Sequence, residues 1–239
     1  MQKQFTCKVI YNSYLSILSN KYNLCYSYLP NGLHLLMTIE EHPLRPFLPS
    51  EGKILFLGSF PPPKVRWSMD FFYPNWINDF WRLMGLIHYG DKTHFEVKGE
   101  KRFDKERIVE FAERNGLAFY DTAVKVCRHK DNASDNFLEI LEPTDISALL
   151  SAMPCCHTVA TTGGKASEEL QMQLSAVGNA GTPSSQPAAL VPMPPIGGSV
   201  ELEFAGRKLR WWRMPSSSRA YPLKLEKKAE YYRRLFEEC

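Results

Sequence analysis

Two stretches of this chain carry residue types that can do chemistry together. The first is Gly58-Ser59-Phe60-Pro61-Pro62, followed by the aromatic run FFYPNWINDFW from Phe71 to Trp81. A glycine turn lets backbone N–H groups approach a ligand closely. Tyr73 offers a flat ring for stacking, and the side-chain carbonyl of Asn78 can hold a water. The second stretch is RMPSSSRAYP, from Arg213 to Pro222. Small hydroxyl residues and free backbone N–H groups suit phosphate oxygens, and Arg219 adds positive charge. Each stretch has a plainer alternative. The first can be an aromatic core beside a proline loop; Phe80 and Trp81 fit that better, and Tyr73 fits either. The second can be a polar connector, which three serines alone do not exclude.

These loops need a frame, and the hydrophobic pattern supplies one. The apolar run ending at Leu57 stops at Gly58-Ser59, as a buried parallel strand does. Three prolines, Pro61 to Pro63, then enforce a rigid loop. Ile77, Phe80, Trp81, Met84 and Ile87 recur at helical spacing and predict a helix over 77–88. A second helix is expected over 104–114, with Asp104 as N-cap, Ile108, Phe111 and Ala112 inward, and Asn115-Gly116 as its stop. Strands follow over 117–120 and 157–161, with a short helix over 143–150 between them and another from Lys165 to Leu174. A hairpin over 200–212 and a last helix over 223–236, apolar at Leu225, Ala229, Tyr232 and Leu235, complete the pattern. Strands alternating with helices predict a parallel sheet covered on both faces, which binds ligands at the carboxyl ends of its strands. Gly58, Asp121-Thr122, Thr161-Thr162-Gly163 and Met214-Pro215-Ser216 all fall at such ends.

Composition narrows the field less. The chain has 239 residues, 44% hydrophobic, enough for one packed domain. A net charge of +3 permits nucleic acid as a partner without demanding it. No run of about 20 apolar residues predicts a membrane span. The six cysteines are scattered without a C-x-x-C pair, which predicts reduced thiols and no metal or iron–sulfur cluster. Gly163-Gly164-Lys165-Ala166 resembles the end of a phosphate-binding loop but lacks the earlier glycine and the hydroxyl residue after lysine. The charges from Glu226 to Arg234 fit a solvated helix face, and His88, His94, His129 and His157 form no defensible catalytic triad. Residues 1–36, rich in Tyr, Asn and Ser, show no regular period and no signal-peptide cleavage site. We expect Met37 to be the natural start, residues 37–239 to form the domain, and residues from about 175 to 200 to be a flexible loop.

Together the two loop stretches resemble the motifs of the uracil-DNA glycosylase superfamily. GSFPP followed by FYPNWINDFW resembles its first motif: a strand, a G-x-x-P turn, an aromatic residue, then N-x-F-W opening a helix. RMPSSSRAYP resembles its second, a P-S-x-S loop that enters the DNA minor groove. GLAFYDTA and TTGGKASEEL fall where that fold places its inner strands, so the resemblance spans roughly residues 40–238. The mismatch-specific uracil glycosylases keep an Asn where this chain has Phe60, which cannot hold a water. The hypoxanthine-DNA glycosylase branch uses the Asn of N-x-F-W instead, which corresponds to Asn78, and Met214 in place of His or Asn fits the same branch. Trp76 departs from those relatives, which usually have Pro there.

The resemblance implies a three-layer α/β/α sandwich with a central, mainly parallel four-stranded sheet. It implies a DNA glycosylase of base-excision repair that hydrolyses the N-glycosidic bond of a flipped deaminated base, hypoxanthine or uracil in class. Asn78 would position the attacking water. Gly58, Ser59, Phe60 and Tyr73 would hold the base, and Pro215, Ser216, Ser217, Ser218 and Arg219 would grip the DNA. No metal or cofactor is implied; the expected partner is damaged DNA, and the expected state a cytoplasmic monomer. Phe60 and Met214, as losses of familiar catalytic positions, leave room for a non-catalytic DNA-binding or damage-sensing module on the same fold. An enzyme acting on free nucleosides is a third reading, against which the loop near Arg219 argues, since a small ligand needs no wedge.

Overall fold

The unbroken apolar run at Ile54–Leu57 becomes the centre of the molecule. The computed structural model describes residues 24–28, 34–129, 138–177 and 190–239, with side chains from residue 38 onward. Strand β1 (Leu24–Tyr28) and β2 (His34–Glu41) precede β3 (Ile54–Gly58), every residue of which is buried. Then come α1 (Phe80–Tyr89), α2 (Lys105–Arg114), β4 (Leu117–Asp121), β5 (Ala123–Arg128) and β6 (Leu138–Pro143). The chain continues through α3 (Ile146–Ser151), β7 (Thr158–Thr162), α4 (Gly164–Val177), β8 (Gly198–Phe204), β9 (Arg207–Met214) and α5 (Leu225–Glu237).

The central sheet has the order β4-β3-β7-β9-β8. Its first four strands are mutually parallel, and β8 closes one edge as the antiparallel arm of a hairpin with β9. The four parallel strands expected from the sequence are thus joined by a fifth. Register assigns the layers. Phe56 pairs with Phe119 and Ala160, and its ring meets Phe80 of α1 at 5.3 Å and Phe236 of α5 at 6.3 Å. Leu57 and Thr161, one residue on, point to the other face, where Thr161 Oγ1 lies 2.8 Å from Ser167 Oγ of α4. Helices therefore cover both faces, and the domain is a mixed α/β sandwich around a mostly parallel sheet.

A second, antiparallel sheet in the order β1-β2-β5-β6 has no counterpart in the sequence reading. Only Thr122 separates β4 from β5, so the chain passes directly from one sheet to the other. Strand β2 runs across position 37, and its residues Ile39, Glu40 and Glu41 pair with Cys127, Val126 and Lys125. Of the expected extension, residues 24–28 form β1 and 34–36 begin β2, while 1–23 and 29–33, like residues 178–189 of the expected flexible loop, lie outside the described residues.

Two helices start three residues later than expected, and the last starts at Leu225 rather than 223. The first helix begins at Phe80 rather than at 77, because Asn75 to Asn78 are spent on turns and bridges. Ile77, expected on the buried stripe, is 53% exposed, while Phe80, Trp81 and Met84 are fully buried. Pro143 ends a strand, and the short helix begins after Asp145, whose carboxylate accepts from Ala148 N–H at 2.9 Å. Asp104 caps α2 as expected, accepting from Arg107 N–H at 3.1 Å.

Candidate active site

The last residues of the parallel strands converge on one edge. Gly58 is in register with Asp121, and Thr162 with Met214. A side chain at Gly58 would overlap Asp121 Oδ1, so the turn and the carboxylate are in closest approach. Tyr73, on the loop before α1, has its hydroxyl 2.9 Å from Thr162 Oγ1. On the other side of Thr162, Gly163 faces Ser216; a Cβ there would stand 3.7 Å from the serine Cβ.

The two candidate loops are joined directly. Asn78 and Ser218 form an isolated antiparallel bridge, and Asp79 N–H donates to Ser217 O at 3.0 Å. Arg219 Nε donates to Asp79 Oδ1 at 2.8 Å. From behind, Lys228 of α5 donates through Nζ to Ser218 O at 2.6 Å, and Tyr232 OH donates to Pro215 O at 2.9 Å. Lys228 is buried, and desolvation holds its ammonium below the usual lysine range, Asp79 opposing that shift and Arg219 adding to it. Arg82 braces the other loop. It donates to Trp76 O and Asn78 O, pairs with Glu96 at 2.6 Å, and lies over the Trp76 ring.

Asn78 is half-buried at this junction. Its Oδ1 accepts from Phe80 N–H at 2.9 Å, while the side chain of Asp79, at the N-cap position, caps nothing. The oxygen expected to hold a water therefore also caps α1, using one of its two lone pairs. Tyr73 is held in a left-handed conformation (φ 51°) and stacks on Phe80 with ring centroids 3.8 Å apart. One face of its ring is thus covered, and burial pushes its phenol well above the usual range.

Other expected site residues face inward. Ser59 and Phe60 are buried, and Phe60 belongs to a small cluster with Ala123, Val126 and Leu138. In the serine loop, Pro215 and Ser217 are buried, Ser216 and Ser218 half-buried, and Arg219 exposed.

A pair that sequence reading missed lies against Gly58. His42 Nε2 is 2.9 Å from Asp121 Oδ2, and His42 Nδ1 is 2.8 Å from Leu44 O and 3.2 Å from Leu44 N. The side chains are 1% and 11% exposed, with Tyr120 and Phe60 packed on the imidazole. An acid at the end of a buried strand is a legible signal for Asp121. His42, 79 residues away, carries none.

Away from this edge, Cys155, Cys156 and Cys239 are free, but Cys127 is disulfide-bonded, which corrects the expectation of reduced cysteines throughout. The atoms of Cys127, His129 and Glu139 that could bind a metal lie within 4.8 Å of one another. A sulfur already in a disulfide is not a thiolate ligand, so the trio does not make a metal site. Among the described residues, no helix is long and apolar enough to cross a membrane.

The strand order and the helix-covered sheet make a sandwich similar in fold to a solved structure. The solution NMR structure of a putative uracil DNA glycosylase from Methanosarcina acetivorans matches this chain with a TM-score of 0.54. The match has 22% identity and covers 84% of this chain and 99% of that one. No protein-family model and no curated protein sequence matches the chain.

Proposed function

We propose that this chain is a DNA glycosylase that hydrolyses the N-glycosidic bond of a deaminated base, hypoxanthine or uracil in class, after flipping it from the duplex. The observation that carries this reading is the bridge between Asn78 and Ser218. It joins the residue that would position water to the loop that would hold the DNA, at the strand edge where such sheets bind ligands.

A base stacked in a duplex cannot be reached, so the nucleotide must leave the stack. The serine loop would fill the gap, with Ser216, Ser218 and Arg219 toward the flanking phosphates, while buried Pro215 and Ser217 shape the loop from within. As the glycosidic bond lengthens, the sugar becomes cation-like and the base anion-like. A weak nucleophile then suffices, and Asn78 acts by positioning water through its remaining lone pair, not by taking a proton. Backbone N–H groups near Gly58 and Ser59 would stabilise charge on the departing base. The exposed edges of uracil and hypoxanthine both carry a lactam N–H. Asp121, fixed by His42 beside Gly58, is an acceptor suited to it. Phe60 at the first-motif position and Met214 at the second favour the hypoxanthine class. Such an enzyme would act in base-excision repair in the cytoplasm, as a monomer, without metal or cofactor.

Asn78 Oδ1, occupied as a helix cap, favours a second reading: a damage-sensing module that binds DNA without cutting the glycosidic bond. One experiment separates the two. Labelled duplexes carrying uracil, hypoxanthine or xanthine are incubated with the protein and then treated with alkali. Strand breaks at the modified position are expected, most with hypoxanthine. Tight binding without breaks would favour the sensing module.

A further inference from the structure

The proline run Pro61 to Pro63 leaves β3 at the site edge and ends in a single 3-10 turn, Lys64–Arg66, whose three residues are all exposed. Val65 at its tip is 90% exposed, more than any other large hydrophobic among the described residues. A lone exposed valine is ordinary. This one is held in place. Arg66 N–H donates to Pro63 O at 2.9 Å, and Trp67 donates through its backbone to Lys64 O at 3.0 Å and through Nε1 to Pro62 O at 2.7 Å. At the root of the loop, Arg128 Nη2 donates to Pro61 O at 2.9 Å. With proline fixing φ as well, the loop cannot fold its tip away from water.

The turn is also tied to the candidate active site. Trp67 bridges Asn75, and Ser68 donates through both N–H and Oγ to Pro74 O. Two residues before Trp67 and two after Asn75 in sequence lie Val65, in the 3-10 turn, and Ile77, in the turn before α1, both exposed apolar residues. The residue after Ile77 is Asn78, which bridges the serine loop. Lys64 and Arg66 flank the valine, and neither joins an ion pair among the described residues. The nearest acid along this loop is Asp70, also exposed.

We infer that Val65 and Ile77, flanked by Lys64 and Arg66, form a second rigid wedge, which packs against sugar and base edges of duplex DNA beside the extruded nucleotide. The inference rests on the DNA reading above and adds a contact surface to it. Lys64 Nζ lies over the Trp67 ring, 5.4 Å from its centroid, and no carboxylate neutralises either cation among the described residues. An apolar tip between two such cations is complementary to a groove with phosphate rims, the arrangement by which apolar wedges enter DNA. Because the loop is already rigid, little ordering entropy opposes the contact.

Binding to a fluorescein-labelled duplex containing an abasic-site analogue tests this by anisotropy over a salt series. Val65→Ser/Ile77→Ser is expected to weaken binding about tenfold with the salt slope unchanged. Lys64→Gln/Arg66→Gln is expected to reduce that slope by about 2. Met172→Ser, at an exposed residue of α4 outside the wedge, should bind as wild type does. Thermal melts of all three should overlay the wild type, because every substituted residue is exposed. Wild-type affinity and slope in the wedge variants, or an equal loss in Met172→Ser, would overturn the wedge, as would a wild-type protein that does not bind duplex DNA. Excision is scored separately. If wild type excises no base but the wedge variants still lose duplex binding, the wedge stands and the glycosylase reading falls; excision with unaltered variant binding does the reverse.

Discussion

Arg219 Nε donates to Asp79 Oδ1 at 2.8 Å across 140 positions of sequence, joining the serine loop to the N-cap residue of α1. The carboxylate is buried, and Arg82 Nη1 lies 3.6 Å from the same oxygen. Arg219 therefore anchors the loop while its exposed portion stays available to phosphate. Arg219→Ala is expected to lower stability by about 1 kcal/mol, less than a buried hydrogen bond to a charged group because water screens the half-exposed guanidinium, and to reduce the salt slope of DNA binding by about 1. Urea unfolding and a salt titration measure the two effects. If Asp79→Asn and Arg219→Ala add without coupling in a double-mutant cycle, the anchor is not real.

Asn78 carries two duties, and substitution can separate them. Asn78→Ala removes both the cap on Phe80 N–H and the proposed hold on water. Stability should fall by about 1 kcal/mol and excision by about a hundredfold or more. Serine caps helices well but is one atom shorter. Asn78→Ser should therefore recover stability in urea unfolding without recovering single-turnover excision. Recovery of both would reduce Asn78 to a structural cap.

Gly58 and His42 control Asp121 from opposite sides. Asp121 cannot swing away from a new methyl group at Gly58, because its other oxygen is held by His42. Gly58→Ala and His42→Phe should each slow excision by about tenfold or more. Duplexes with an abasic site place no base against Asp121, so their affinity should hardly change. A loss of abasic-site binding equal to the loss of excision would point instead to a collapsed site. His42→Phe should also cost about 1–3 kcal/mol, since the enclosed carboxylate loses its partner.

The residues expected to do chemistry were legible as loop types, but their partners were not. Periodicity found the buried face of α1 at Phe80, Trp81 and Met84, because one helix writes its own pattern locally. The caps at Asp104 and Asp145 are equally local, although only the first was expected. Ile77 carried the same helical spacing yet is exposed, since Asn78 is drawn into a bridge with Ser218 that no local window contains. The second sheet was invisible for a related reason. Strand β5 mixes buried and half-exposed residues without strict alternation, and register shifts in its pairing with β6 break the period further. His42 and Asp121, like Asp79 and Arg219, become a pair only after the chain has folded back on itself.

Lys228 gives a prediction in pH. Its ammonium is buried behind the serine loop, and desolvation is the first cause of its lowered pKa. The unfolded chain, with the lysine near its ordinary value of 10.5, then binds the proton more tightly than the folded one. Protonation therefore opposes folding. That cost is fully present below the folded pKa, shrinks as pH rises through the window between the two values, and is gone above the unfolded one. Lys228→Met removes the titrating group, so the stability of wild type relative to this variant should rise between pH 7 and pH 10. The comparison between the two proteins cancels the other groups that titrate in that range. Methionine cannot donate to Ser218 O, so the variant should also bind duplex DNA less tightly at pH 7 through a loosened serine loop. Urea unfolding at both pH values is decisive: a difference that stays flat or falls with pH would mean that the folded protein does not hold Lys228 below its usual range.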